Sequence, residues 1–151
     1  MTLKKSRRRE FMAAVSSAFA IGANHRAFAS LPYFWANVFL VFFENDDASL
    51  RPQSILTISQ SIRSYNEYDN VLIEVTGHTD RLGDPQYNDL LSLRRAHAVR
   101  DEFVRQGVPA LKVRTFGKGQ RDPLVASPDG VAEPQNRRAE IHLIRSSPGI
   151  P

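Results

Sequence analysis

The sequence predicts an α/β fold of the α+β sandwich kind, with elements in the order βαβαβ and then a last β, forming a small mixed sheet with helices packed on one face. Three observations predict it. Val71, Ile73 and Val75 alternate with Leu72, Glu74 and Thr76 in the period of a strand. Leu91, Ala96, Val99, Phe103 and Val104 recur at helical spacing shortly afterwards. At 151 residues and 42% hydrophobic content, the chain can bury one core and carry a short extension.

Met1 to Ser30 reads as an export leader. It has a basic start (Lys4 to Arg9), an apolar run (Phe11 to Ala23) and a small-x-small cleavage signature, Ala27-Phe28-Ala29. Arg8-Arg9-Glu10-Phe11-Met12 resembles the twin-arginine pattern, so both that route and the general secretory route fit. The apolar run is shorter than the roughly 20 residues that span a bilayer. Cleavage would leave a soluble periplasmic protein, and retention an inner-membrane tether. The expected organisation is a signal peptide over 1–29, a short linker over 30–37, one domain over 38–146 and a disordered tail over 147–151.

Within the domain, Phe39 to Phe43 predicts a first strand, and Glu44 to Ser49 a polar turn. Pro52 suits a first helical turn, and Ile55, Leu56, Ile58 and Ile62 continue an amphipathic helix through Ser64. The strand around Ile73 stops at Gly77-His78-Thr79-Asp80. A loop with Gly83 and Pro85 leads to the second, longer helix, with Ser92 as its expected N-cap and Gly107 just past its end. Val113 to Gly117 predicts a third strand. A long loop from Pro123 to Pro134 then reaches Asn136-Arg137-Arg138, and Ala139 to Ile144 alternates as the last strand.

The net charge of +4 suggests nucleic acid until it is mapped. Lys4, Lys5, Arg7, Arg8, Arg9 and Arg26 stand in the leader against Glu10 alone, leaving 14 basic and 15 acidic residues elsewhere. The basic excess belongs to the leader, and no nucleic-acid partner is expected. The absence of cysteine removes disulfides, zinc-thiolate sites, thiol nucleophiles and a cysteine-borne lipid anchor.

Several short motifs, in order and spacing, carry a resemblance: Gly77-His78-Thr79-Asp80, Gly83, Tyr87-Asn88, Leu91-Ser92-Leu93-Arg94-Arg95-Ala96, Gly107-Val108, Gly117-Lys118-Gly119, Pro123 and Asn136-Arg137-Arg138-Ala139-Glu140-Ile141. Together they resemble the peptidoglycan-binding OmpA-like domain family, the C-terminal domain of outer membrane protein A, from about Val38 to Ile144. Three places depart from that pattern: Asn45 where Phe is usual, Gln120 where an acid often stands, and Pro134-Gln135 where Gly-Arg is common.

The resemblance implies a non-enzymatic protein of the periplasm or cell envelope, associated with the outer membrane or with envelope protein partners, and without a cofactor. It further implies a ligand, the diaminopimelate of the peptidoglycan stem peptide, whose free end carries an ammonium and a carboxylate on one carbon. Asp80 would accept the ammonium, and Arg95, expected in the first turn of the second helix, would offer its planar fork to the carboxylate. Thr79 and Asn88 would orient the pair or touch the ligand backbone, and Arg138 would support the carboxylate from the last strand.

Two other classes stay open on the residues alone. A metal-dependent hydrolase would use His78 and Asp80 with His97 or His142 as ligands, though no nucleophile motif is present. A protein-interaction module would use the same fold to dock an envelope partner through Tyr33-Phe34-Trp35.

Overall fold

The computed structural model describes residues 33–146. The expected leader and tail lie outside the described residues, as do 30–32 of the expected linker and the side chains of Tyr33, Phe34 and Trp35.

Four strands and two helices follow in the expected order. They are β1 (Tyr33–Phe42), α1 (Pro52–Asn66), β2 (Val71–Gly77), α2 (Pro85–Arg105), β3 (Val113–Gly117) and β4 (Arg138–Ser146). Single 3-10 turns at Ala110–Lys112 and Pro134–Asn136 precede β3 and β4. β1 begins earlier than the apolar run at Phe39 suggests, because its backbone pairs with β4 back to Tyr33, through a register shift between Trp35 and Asn37. The sheet order is β1-β4-β2-β3. β4 lies antiparallel to both neighbours, and β2 and β3 are parallel, joined by α2 as a crossover.

One face of the sheet is apolar and both helices cover it. Val41, Ile73, Val75, Ala139, Ile141 and Leu143 meet Ile58 of α1 and Ala96, Val99 and Phe103 of α2 in a single buried cluster. The strict alternation of β4 decides this face: Ala139, Ile141 and Leu143 point to the helices, while Glu140 and His142 point away. Leu56 and Val104, expected to face inward, are exposed: Leu56 falls opposite the stripe of Ser54, Ile58 and Ser61, and Val104 well outside that of Leu91, Ala96, Val99 and Phe103.

The second helix starts two turns before the residue expected to cap it. Asp84 is the N-cap, its carboxylate accepting from the Tyr87 N–H at 2.9 Å, with Pro85 in the first turn; Ser92 is buried inside the helix. At the other end Gly107 takes φ +97°, and the Gly107 and Val108 N–H groups donate to Val104 and Phe103 carbonyls at 3.0 Å. That is a Schellman stop, with Val108 buried beneath Phe103. The helix meets the sheet most closely at Gly77, where a Cβ would stand 1.8 Å from the Ser92 carbonyl oxygen.

Candidate functional site

Where β2 ends, the chain stays buried for three more residues. His78 donates its N–H to the Arg138 carbonyl at 2.8 Å and Thr79 to the Gly119 carbonyl at 2.9 Å, so β4 and the turn after β3 hold the segment straight up to Asp80. The Thr79 hydroxyl donates to the Asp80 carbonyl at 2.9 Å. Asp80 then opens onto a cleft of about 240 Å³, small enough for the end of one side chain.

The Asp80 carboxylate is already well supplied with donors. Oδ1 accepts from the Leu82 N–H at 3.3 Å; Oδ2 accepts from the Glu133 N–H and from Arg137 Nη1, each at 3.2 Å. Arg137 is the partner that could be exchanged, since its guanidinium is the charged member and keeps 12% of its surface exposed at the cleft.

Arg95 comes from the third turn of α2, because the helix begins at Pro85 and not near Ser92. Its position follows from helical spacing: Leu91, Ser92, Ala96 and Val99 share the buried face with it. The side chain is 0% exposed. Nε donates to the Asp47 carbonyl, Nη1 to the His78 carbonyl and Nη2 to the Glu44 carbonyl, all at 2.9 Å, and the guanidinium lies 5.2 Å from the centre of the Phe43 ring. Burial, with Arg137 nearby, lowers its pKa to about 10 against the pull of Asp80, which leaves it charged at neutral pH. Three of its five N–H groups thus bind the fold together, and the two left on its terminal nitrogens can serve the cleft it lines.

Thr79, Asp80, Asn88 and Arg95 therefore come together as the sequence predicts. Arg138 does not join them. It points to the helix-free face of the sheet, where Nε and Nη2 donate to Glu140 Oε1 at 2.9 and 2.6 Å and Nη2 also reaches the Asp122 carbonyl at 3.2 Å. Arg137 stands in the cleft instead. The signal was present in the alternation, for Ala139 and Ile141 face the helices and residue 137 shares their parity. Asp46 and Tyr87, hydrogen-bonded to each other, also line the cleft.

None of the histidines of the hydrolase reading lines the Asp80 cleft: His78 and His142 both sit beside Glu140, and His97 stands apart from them. His78 is fully buried with no hydrogen-bond partner on either ring nitrogen. Burial and Arg138 push its pKa down to about 4, so at 3.8 Å from Glu140 it is a neutral neighbour and not an ion-pair partner. His142 lies 3.0 Å from Glu140, whose pKa falls to about 2 through that contact and the bonds from Arg138. His97 is exposed on α2. Among the described residues, no group of three or more His, Cys, Asp or Glu is placed to hold a metal ion.

The OmpA family profile matches residues 42–137. The chain belongs to the OmpA family. A peptidoglycan-associated lipoprotein of Agrobacterium fabrum is 37% identical over 99 residues, 66% of this chain and 56% of the relative. An outer membrane protein of Gluconacetobacter diazotrophicus is 35% identical over 114 residues, 72% of this chain and 30% of the relative. The chain thus spans about half or less of the length of these relatives. The crystal structure of the peptidoglycan-associated lipoprotein from Burkholderia pseudomallei superposes with a TM-score of 0.64 at 28% identity, covering 70% of this chain and 89% of that one. The periplasmic domain of Helicobacter pylori MotB shares the fold, at a TM-score of 0.60 and 19% identity, over 72% of this chain and 81% of that one. The OmpA-family match begins at Phe42, where β1 ends, and closes at Arg137, the cleft arginine.

Proposed function

We propose that this OmpA-family domain attaches its chain to peptidoglycan without covalent chemistry, by binding the zwitterionic end of diaminopimelate in the Asp80 cleft. The observation that carries the reading is the Asp80–Arg137 pair, a carboxylate and a guanidinium 3.2 Å apart at the mouth of a small cleft. An α-amino acid end brings the complementary pair of charges. Its ammonium takes the lone pair on Asp80 that Arg137 holds, and its carboxylate takes Arg137 and the remaining terminal N–H groups of Arg95. One ion pair opens and three charged contacts form, and because Asp80 and Arg95 are already buried their desolvation is met before the ligand arrives.

Thr79 and Asn88 shape the wall on the ammonium side, and Arg138 braces the sheet behind. The names of the relatives support the wall as ligand, since proteins called peptidoglycan-associated lipoprotein match over the same segment. The leader-like start would place the domain in the periplasm, in the cell envelope. No cysteine is present in these 151 residues to carry a lipid. The reading is of a binding protein, supported by the family match and by relatives named for their association with peptidoglycan.

The test is co-sedimentation of the purified chain with insoluble peptidoglycan, using Asp80→Ala and Arg137→Ala variants whose folding is checked by circular dichroism. The unmodified chain should pellet and both variants should stay in solution. If all three pellet alike, or none does, the cleft is not the wall-binding site.

A further inference from the structure

Asn88 lines the cleft from the first turn of α2 and is buried. Its amide nitrogen faces acceptors: the Leu82 carbonyl at 3.0 Å and Gln120 Oε1 at 3.0 Å, with the Asp80 carbonyl at 3.5 Å. Two good acceptors use both Nδ2 hydrogens, and the amide cannot turn over without setting oxygen against oxygen at two places. Oδ1 is then the atom Asn88 has to offer the cleft. An acceptor in a cleft that Asp80 also lines favours a ligand group that donates several hydrogen bonds, such as a primary ammonium.

Gln120 is itself held in place from both sides. The turn before it is fixed by Gly119, whose carbonyl accepts from Thr79 and whose N–H donates to Ser92 Oγ at 2.9 Å. The residue after it is fixed by Arg121, whose Nη1 meets both carboxylate oxygens of Asp89 at 2.7 and 2.8 Å. Gly119 has φ +54°, and a Cβ there would stand 2.2 Å from Asp89 Oδ1, so this turn admits little variation in backbone. A side chain on a bracketed turn, presenting one acceptor to one amide, is placed to set that amide's orientation.

We infer that Gln120 is a positioning residue of the wall-binding cleft: through Asn88 it sets an acceptor in the cleft that Asp80 also lines and so tunes the site to a primary ammonium. This rests on the diaminopimelate reading above, and the experiment separates the two. Free meso-diaminopimelate is titrated into the whole chain by NMR, with Gln120→Met, Gln120→Ala, Gln120→Glu and Asp80→Ala variants of confirmed fold. The Asn88 side-chain amide signals are followed in the same spectra. Loss of the acceptor in Gln120→Met and Gln120→Ala should weaken binding about five- to tenfold, one neutral hydrogen bond's worth, and expose one Asn88 amide hydrogen to fast exchange. Gln120→Glu keeps an acceptor and should bind within about twofold of the unmodified chain. If Asp80→Ala abolishes binding while Gln120→Met and Gln120→Ala bind normally, the inference fails and the cleft reading stands. If Gln120→Glu weakens binding as much as Gln120→Met, Gln120 touches the ligand itself and the positioning role is wrong. If Asp80→Ala binds normally, the cleft reading fails and takes this inference with it.

Discussion

Replacing Arg95 by methionine keeps the length of the side chain and removes everything that its guanidinium holds. Three carbonyls lose a charged donor at 2.9 Å: Glu44 and Asp47 in the loop after β1, and His78 at the end of β2. A hydrogen bond to a charged group contributes about 1.5–3 kcal/mol net, so three would suggest well over 5 kcal/mol. Two corrections bring that down. Glu44 is exposed and Asp47 half-buried, so their carbonyls can turn to water, whereas the carbonyl of buried His78 cannot. Removing a fully buried cation also removes its desolvation cost. The remainder is a loss of about 3 kcal/mol, a large part of the 5–15 kcal/mol that holds a typical domain together. Urea unfolding of the whole chain at pH 7, followed by circular dichroism, measures it. Exposed Arg94, stacked on Tyr87 at 5.2 Å, is the control, and Arg94→Met should change stability by no more than about 0.5 kcal/mol. An Arg95→Met protein as stable as the unmodified chain, or more stable, would refute the reasoning and make Arg95 a ligand group first. The expected loss has a practical side: a variant of Arg95 that fails to bind wall says little about contact, and Asp80 and Arg137 are the diagnostic residues.

Other outcomes follow from the same geometry. Gly77→Ala drives a methyl group into the Ser92 carbonyl, so the chain should lose more than about 3 kcal/mol in the same assay; an unchanged midpoint would mean that α2 can move off the sheet without cost. His78 has a folded pKa of about 4 against 6.5 for a free imidazole, so the unfolded chain binds more protons between those values. Stability should therefore fall as pH drops through that window, by on the order of 3 kcal/mol, and His78→Gln should flatten the slope. Glu140, with its pKa lowered to about 2, contributes stability that is present above 4.5 and lost as pH falls toward 2, and Glu140→Gln should remove that lower limb of the curve. Arg137→Gln should weaken wall binding at least tenfold in co-sedimentation while Arg138→Gln leaves folded protein binding normally; the reverse order would return Arg138 to the site.

Much of the fold was legible because β2 and β4 alternate cleanly and α2 keeps its helical period through Phe103. Asp80 was legible through the resemblance carried by Gly77-His78-Thr79-Asp80, since an acidic residue shortly after a strand is by pattern alone only a turn former. The start of α2 was misplaced because Pro85 to Leu90 carries few apolar side chains, and the Asp84-Pro85 pair, a cap followed by a first-turn proline, is the stronger signal. That error put Arg95 near a helix end, when its spacing from Leu91 and Val99 places it on the buried face, where it lines the cleft from within. The exchange of Arg137 for Arg138 is a parity error of one residue, correctable from Ala139 alone. The partners of β4 were not legible at all. A strand's pattern states that one face is buried but not which strands lie beside it, and here the neighbours are β1, about a hundred residues earlier, and β2.

That placement governs how the domain can come into being. β4 is the last of the four strands in sequence and sits between the first two, so until Arg138–Ser146 has been synthesised β1 has no neighbour and β2 has only short β3. A growing chain holds two unpaired sticky edges for most of its synthesis, and its sheet closes in one late event across long sequence separation. The arginine at the cleft, residue 137, is drawn into position by that same event. The cleft is therefore complete only with the final closure of the sheet, and an unfinished chain has neither.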